Sequence, residues 1–155
     1  MKLKLDKILG GFLVFLMALM VCSVLWQVFS RYALNAPSSF TEEVARYLLI
    51  WIGILGAAYA VGQQAHLSID ILQGYLRDQN KMRLRIVINI LIILFSIVVL
   101  IIGGGNLVYV NYLLGQYSAS LNIPLGFVYA VVPLSGLLIV TYKLIELRNP
   151  KKYLI

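Results

Sequence analysis

Three long stretches of the chain carry no charged residue, and their lengths set the expected architecture. From Ile8 to Ser30 there are 23 uncharged residues, bounded by Lys7 and Arg31. From Tyr47 to Ala65 there are 19, bounded by Arg46 and His66. From Ile86 to Tyr142 there are 57, bounded by Arg85 and Lys143. About 20 apolar residues cross a bilayer as a helix, so each of the first two predicts one span. As one helix the third would reach about 86 Å at 1.5 Å per residue, and it must turn back. Its polar middle marks the turn: Asn111, Gly115, Gln116, Ser118, Ser120, Asn122 and Pro124. The pattern predicts an all-α membrane protein, a single domain over residues 1–155. Its four transmembrane helices are expected near 8–30, 46–66, 84–112 and 123–143. The first stretch is longer than the apolar run of a secretion signal, and no small-x-small site follows it closely. It is read as a retained span.

The distribution of cations orients the spans. Lys2, Lys4 and Lys7 precede span 1, Arg77, Lys81, Arg83 and Arg85 lie between spans 2 and 3, and Lys143, Arg148, Lys151 and Lys152 end the chain. The opposite side has only Arg31 and Arg46. By the positive-inside rule both termini are expected in the cytoplasm. Trp26, Tyr32, Tyr47 and Trp51 then fall near the outer interface, where amphipathic rings concentrate.

Composition sharpens the class. Of 155 residues, 61% are apolar and 12% charged, and the mean hydropathy is +0.91. A soluble domain carries about 25% charge. Those values exclude a water-soluble enzyme, a disordered tail and a nucleic-acid-binding domain. The net charge of +7 reflects only 6 acids against 13 bases, which cytoplasmic loops account for without an acidic partner. One Cys, Cys22, allows no intrachain disulfide and no thiol relay, and one His, His66, cannot ligate a haem twice or build a zinc site.

Polar residues cluster at the span ends. In the first outer link, Asn35, Ala36 and Pro37 make a turn, and Ser39-x-x-Glu42 has capping-box spacing. A short outer cap helix should therefore start near Ser39 and run into span 2. Glu42 and Glu43 then lie in its first turn, with Arg46 four and three residues on. Two compatible readings follow: a self-neutralised cap in which Arg31 and Arg46 match the two acids, or a docking surface for another protein. Gly53, Gly56, Ala57 and Ala60 form a small-residue face on span 2, suited to close packing within this chain or against another subunit. His66 and Asp70 share a helical face at the inner end of span 2, more readily as a structural pair than as a proton relay. Ile69, Leu72, Tyr75 and Leu76 followed by Lys81, Arg83 and Arg85 suggest an interfacial cytoplasmic helix with its cations at lipid headgroups; an ordinary basic loop is the plainer reading. Gly103-Gly104-Gly105 weakens span 3 or admits a close neighbour. Pro124 opens span 4, and Pro133 should kink it.

An absence decides the functional class. Ion-driven carriers place acidic or polar groups near the bilayer centre, and these spans contain no Asp, Glu, Lys or Arg there. The expectation is an accessory membrane subunit that enlarges a scaffold. A self-sufficient homo-oligomeric carrier and a membrane assembly factor are the alternatives.

The residues also resemble a known family, the small membrane (Q) subunit of tripartite ATP-independent periplasmic (TRAP) transporters. The likeness begins at Arg31-Tyr and Asn35 and runs through Thr41-Glu-Glu-Val-Ala-Arg-Tyr-Leu-Leu-Ile-Trp51. It continues through Gly56-Ala-Ala and His66-Leu-Ser-Ile-Asp70 to Ser120-Leu-Asn-Ile-Pro124, Tyr129 and Pro133, covering about residues 26–142. Phe40 departs from the Trp often found there but stays aromatic. The resemblance implies a bacterial inner-membrane protein that pairs with a large membrane subunit holding the substrate and sodium sites. It also implies a periplasmic solute-binding receptor that delivers an organic acid such as a dicarboxylate, a keto acid or sialic acid. No cofactor or metal is expected on this chain.

Overall fold

The computed structural model describes residues 2–36, 38–63 and 78–148. Within them every regular element is helical: α1 (Lys2–Tyr32), α2 (Ser39–Gly62), α3 (Asp78–Phe95), a π-helical stretch (Ser96–Gly103), α4 (Gly104–Leu113), α5 (Leu125–Tyr129) and α6 (Val131–Arg148). Four helical segments are long and apolar enough to cross a membrane: Lys2–Tyr32, Ser39–Gly62, Ile86–Leu113 and Leu125–Arg148. The expected number of spans is the number found. Their ends differ from the charge-bounded estimates because helices continue through charged flanks that remain hydrogen-bonded along the backbone. The apolar part of the expected interfacial helix, Ile69, Leu72, Tyr75 and Leu76, lies outside the described residues, as do His66 and Asp70; its basic part, Lys81 to Arg85, falls at the start of α3, continuous with span 3.

The spans do not pack in chain order. α1 lies on α2, α2 on α6, and α6 on the π stretch, so the row reads span 1, 2, 4, 3. The core joins three of them through Leu9, Leu16, Leu55, Val131 and Tyr142. Large apolar side chains elsewhere, such as Phe15, Leu25, Leu94 and Ile102, face outward, as lipid-facing positions should.

Close approach is achieved at glycines. A Cβ on Gly136 of α6 would sit 2.8 Å from Leu100 and 2.9 Å from Ile101 of the π stretch; one on Gly104 would sit 2.7 Å from Val132. The helices touch backbone to backbone where the widened π turns pass α6. Gly104 is thus the residue of the glycine triplet that admits the neighbour, while Gly105 faces open space.

Span 4 is broken at Ala130, between α5 and α6. Pro133 has no N–H for the carbonyl of Tyr129, and its ring crowds that carbonyl, so the helix parts one turn upstream. The helix resumes with Leu134 N–H donating to Ala130 O at 3.3 Å. Pro124 occupies the N-cap of α5, one position before the first helical residue.

Candidate functional site

The chemistry of this chain gathers where the start of span 2 meets the loop before span 4. α2 is capped by Ser38, whose Oγ accepts from the N–H of Thr41 at 3.4 Å, and Thr41 Oγ1 donates back to Ser38 O at 3.1 Å. This corrects the Ser39-x-x-Glu42 expectation: the cap lies one residue earlier and uses a threonine as its reciprocal partner. Glu42 is thereby released to pair with Arg46 one turn on, at 3.0 Å. Both side chains are more than half exposed, so the pair stabilises by only about 0.3–0.5 kcal/mol.

Glu43 has a different partner. Its carboxylate accepts from the hydroxyl of Ser118 and from three successive backbone N–H groups, Ala119 at 3.1 Å, Ser120 at 3.0 Å and Leu121 at 3.2 Å. Such a run of N–H groups is an anion nest. The connection between spans 3 and 4 is shaped to present it. α4 ends in a Schellman motif, with Gly115 at φ 58°, its N–H on Tyr112 O and the next N–H, of Gln116, on Asn111 O. Asn111 therefore belongs to the helix end and is buried, not part of the turn. The loop then closes through Ser118 N–H to Ile123 O and Leu125 N–H to Gln116 O, both 2.9 Å, with Asn122 at φ 56°. A charge-assisted clasp thus ties the start of span 2 to the loop before span 4.

The self-neutralised cap does not take the expected form. Backbone dipoles, not Arg46, meet Glu43. Arg31 is exposed and makes no ion pair among the described residues. Asn35 sits beside it in a left-handed turn, φ 50°, and Ala36 N–H returns to Ser30 O at 3.2 Å.

Deeper in span 2, Trp51 Nε1 donates to Val128 O at 3.0 Å, and its ring lies against Phe127 at a centroid distance of 6.1 Å. Val128 is in the last turn of α5, where carbonyls lack helical donors, so the indole satisfies a group that the break in span 4 exposes. The small-residue face turns the other way. Gly53, Ala57 and Ala60 are exposed, Gly56 is half-buried, and no atom lies within 4 Å of a Cβ placed on Gly53 or Gly56. Packing within the chain uses Leu55, Ala58 and Gly62 instead. Among the described residues, nothing of this chain packs on Gly53 or Gly56.

Near the end of α6, Lys143 and Glu146 form an ion pair within the helix at 3.1 Å that is almost wholly buried. Lys143, counted among the cations that orient the spans, is thus enclosed by the packing. Tyr142 lies over Gly62, its ring 2.8 Å from where a Cβ would be. Its hydroxyl lies near Asp6 of α1 without closing a hydrogen bond. Lys81, Arg83 and Arg85 fall in the first turns of α3, and Arg83 is exposed. Among the described residues no cluster of three or more His, Cys, Asp or Glu could hold a metal.

Sequence reasoning placed Ser118 and Ser120 only in a turn and missed the nest of residues 119–121 that binds Glu43, together with the contact glycines Gly62 and Gly136. The Lys143–Glu146 spacing of i, i+3 was legible as a pair, but its burial was not. Glu43 and its partners lie 75 to 78 residues apart, beyond any local signal.

Comparison with known proteins converges. The family described as tripartite ATP-independent periplasmic transporters, DctQ component, matches residues 20–150. A Haemophilus influenzae protein provisionally named a TRAP transporter small permease is 27% identical over 124 residues, covering 80% of this chain and 75% of that protein. The sialic acid TRAP transporter small permease protein SiaQ of Vibrio cholerae is 30% identical over 122 residues, 75% of this chain and 70% of that protein. The sialic acid TRAP transporter permease protein SiaT of H. influenzae is 30% identical over 79 residues, half of this chain but only 12% of SiaT.

Proposed function

The chain belongs to the DctQ component family of TRAP transporters, and from that premise we propose that it is a non-catalytic scaffold paired with a large permease subunit. The family is a transporter component rather than an enzyme. In this reading the complex sits in the bacterial inner membrane, with both termini of this chain in the cytoplasm. A periplasmic solute-binding receptor delivers an organic acid, and a sodium gradient drives its uptake. The likeness to SiaQ supports sialic acid as the first substrate to try. Sodium ions belong to the large subunit in this scheme, and anionic lipid headgroups meet Arg83 and its basic neighbours.

One observation carries the scaffold role: four spans enclose no Asp, Glu, Lys or Arg between their charged ends. Coupling an ion gradient to a substrate requires groups that bind the ion inside the membrane. Rigid apolar helices suit support instead. At one rim a clasp from Glu43 to the 118–121 loop ties span 2 to span 4, and near the other rim α6 is packed tightly enough to bury its own Lys143–Glu146 pair. Arg31, Glu42 and Arg46 remain exposed beside the outer clasp, where a receptor can reach them.

Reconstitution tests this. Liposomes holding the large subunit, with receptor and sialic acid outside and an inward sodium gradient, should accumulate substrate only when this chain is present. Full uptake without it would defeat the scaffold role. Uptake by this chain alone would replace it with a self-sufficient carrier.

A further inference from the structure

An open groove of about 550 Å³ runs between α2 and the third span. Gly53 and Ala57 form one wall, Phe95 and Ser96 the other, and Ser135 and Ile139 the floor. The gap follows from the packing order, because α2 and span 3 are held apart by α6 between them. The two hydroxyls in the groove are already satisfied: Ser96 donates to Ile92 O at 2.8 Å and Ser135 to Val132 O at 2.7 Å. Nothing in it asks for water or an ion, so its occupant is apolar.

We infer that this groove seats one transmembrane helix of the large permease subunit, an inference that rests on the pairing proposed above. Three observations favour a helix of that partner over the other apolar occupants. An acyl chain adapts to any apolar wall, whereas close approach of a helix backbone needs small residues. Gly53 and Ala57 supply them on a wall that is exposed among the described residues. A second copy of the chain is a poor fit, because a two-fold interface would set concave groove against concave groove and leave both unfilled. Finally, the segment like SiaT makes up only 12% of that protein, so in that relative such a stretch shares one polypeptide with a far larger permease. Covalent linkage of that kind keeps the larger part beside this one in the membrane, within reach of a lateral groove.

The geometry assigns Gly53 and Ala57 as the contact positions. A Cβ on Gly53 meets no atom of the described residues within 4 Å, and Ala57 is exposed, so both leucine variants should fold and melt as wild type when isolated. Gly53→Leu and Ala57→Leu should reduce co-purification of a tagged large subunit by about tenfold or more, as a bulky side chain in a close helix crossing does. A photo-crosslinking residue at 57 should join the large subunit, while the same residue at Leu25, exposed on α1, should not. Undiminished co-purification of both leucine variants would overturn the inference. So would crosslinking from 57 to a second copy, or retention of a phospholipid by wild type that the variants lose while the complex persists. If the wild-type chain itself fails to co-purify, the pairing fails rather than the groove. Should a leucine variant misfold, the crosslinking pair decides alone.

Discussion

Replacing Gly136 by alanine should destabilise the protein, although alanine is the better helix former. An alanine in a helix interior gains about 1 kcal/mol over glycine. At Gly136 that gain meets a steric cost. The new Cβ would lie 2.8 Å from Leu100 Cβ, 2.9 Å from Ile101 Cγ1 and 3.3 Å from the Ile101 backbone N. Optimal separation between carbon atoms is about 3.5–4.0 Å, so α6 and the π stretch must part by roughly 1 Å. Of these three atoms, Leu100 Cβ and the Ile101 nitrogen cannot swing aside, and only Ile101 Cγ1 can rotate. Overpacking of this kind costs about 1–3 kcal/mol, for a net loss of up to about 2 kcal/mol. Gly53→Ala is the matched control. It lies in a membrane helix too, nothing stands within 4 Å of its Cβ, and it should be neutral or stabilising by up to about 1 kcal/mol. The two variants should therefore separate by about 1–3 kcal/mol in equilibrium unfolding of the isolated chain in bicelles. A Gly136→Ala protein as stable as Gly53→Ala would refute the close crossing and the packing order built on it.

Other consequences are equally direct. Glu43→Gln keeps the shape of the side chain but removes the charge that three N–H groups share; amide exchange at Ala119, Ser120 and Leu121 should quicken while α1 amides stay as before, and unchanged exchange would remove the outer clasp. Trp51→Phe retains the ring packing and loses only the hydrogen bond to Val128 O, a change of about 1 kcal/mol in an unfolding titration. Lys143→Met removes one cation from the buried Glu146 carboxylate and should lower stability in an unfolding titration, whereas Lys143→Met with Glu146→Leu should recover most of the loss; equal stability of the single variant and wild type would show that the pair contributes nothing. Arg46→Glu should lower sodium-driven uptake in the reconstituted system while leaving the isolated fold intact, and unaltered uptake would make the Glu42–Arg46 surface dispensable.

Much of this protein was legible without coordinates, because the bilayer leaves so few choices. An apolar run about 20 residues long must become a helix that satisfies its own backbone, so counting charges was enough to find four spans and the turn after the third. The empty span interiors, on which the proposed scaffold role rests, are likewise a property of the sequence. Pro133 announced the break in span 4, since the missing N–H and the ring act on the chain's own preceding turn. Tertiary structure alone decided which helices touch. Between apolar helices in lipid there is no hydrophobic preference for one neighbour over another, and the order 1, 2, 4, 3 came from where glycines let backbones meet. The same holds for Glu43: its local neighbours suggested a pairing with Arg46, but a nest of N–H groups 76 to 78 residues away presents several convergent donors and wins. A carboxylate chooses its partner by geometry in space, and only folding brings that loop within reach.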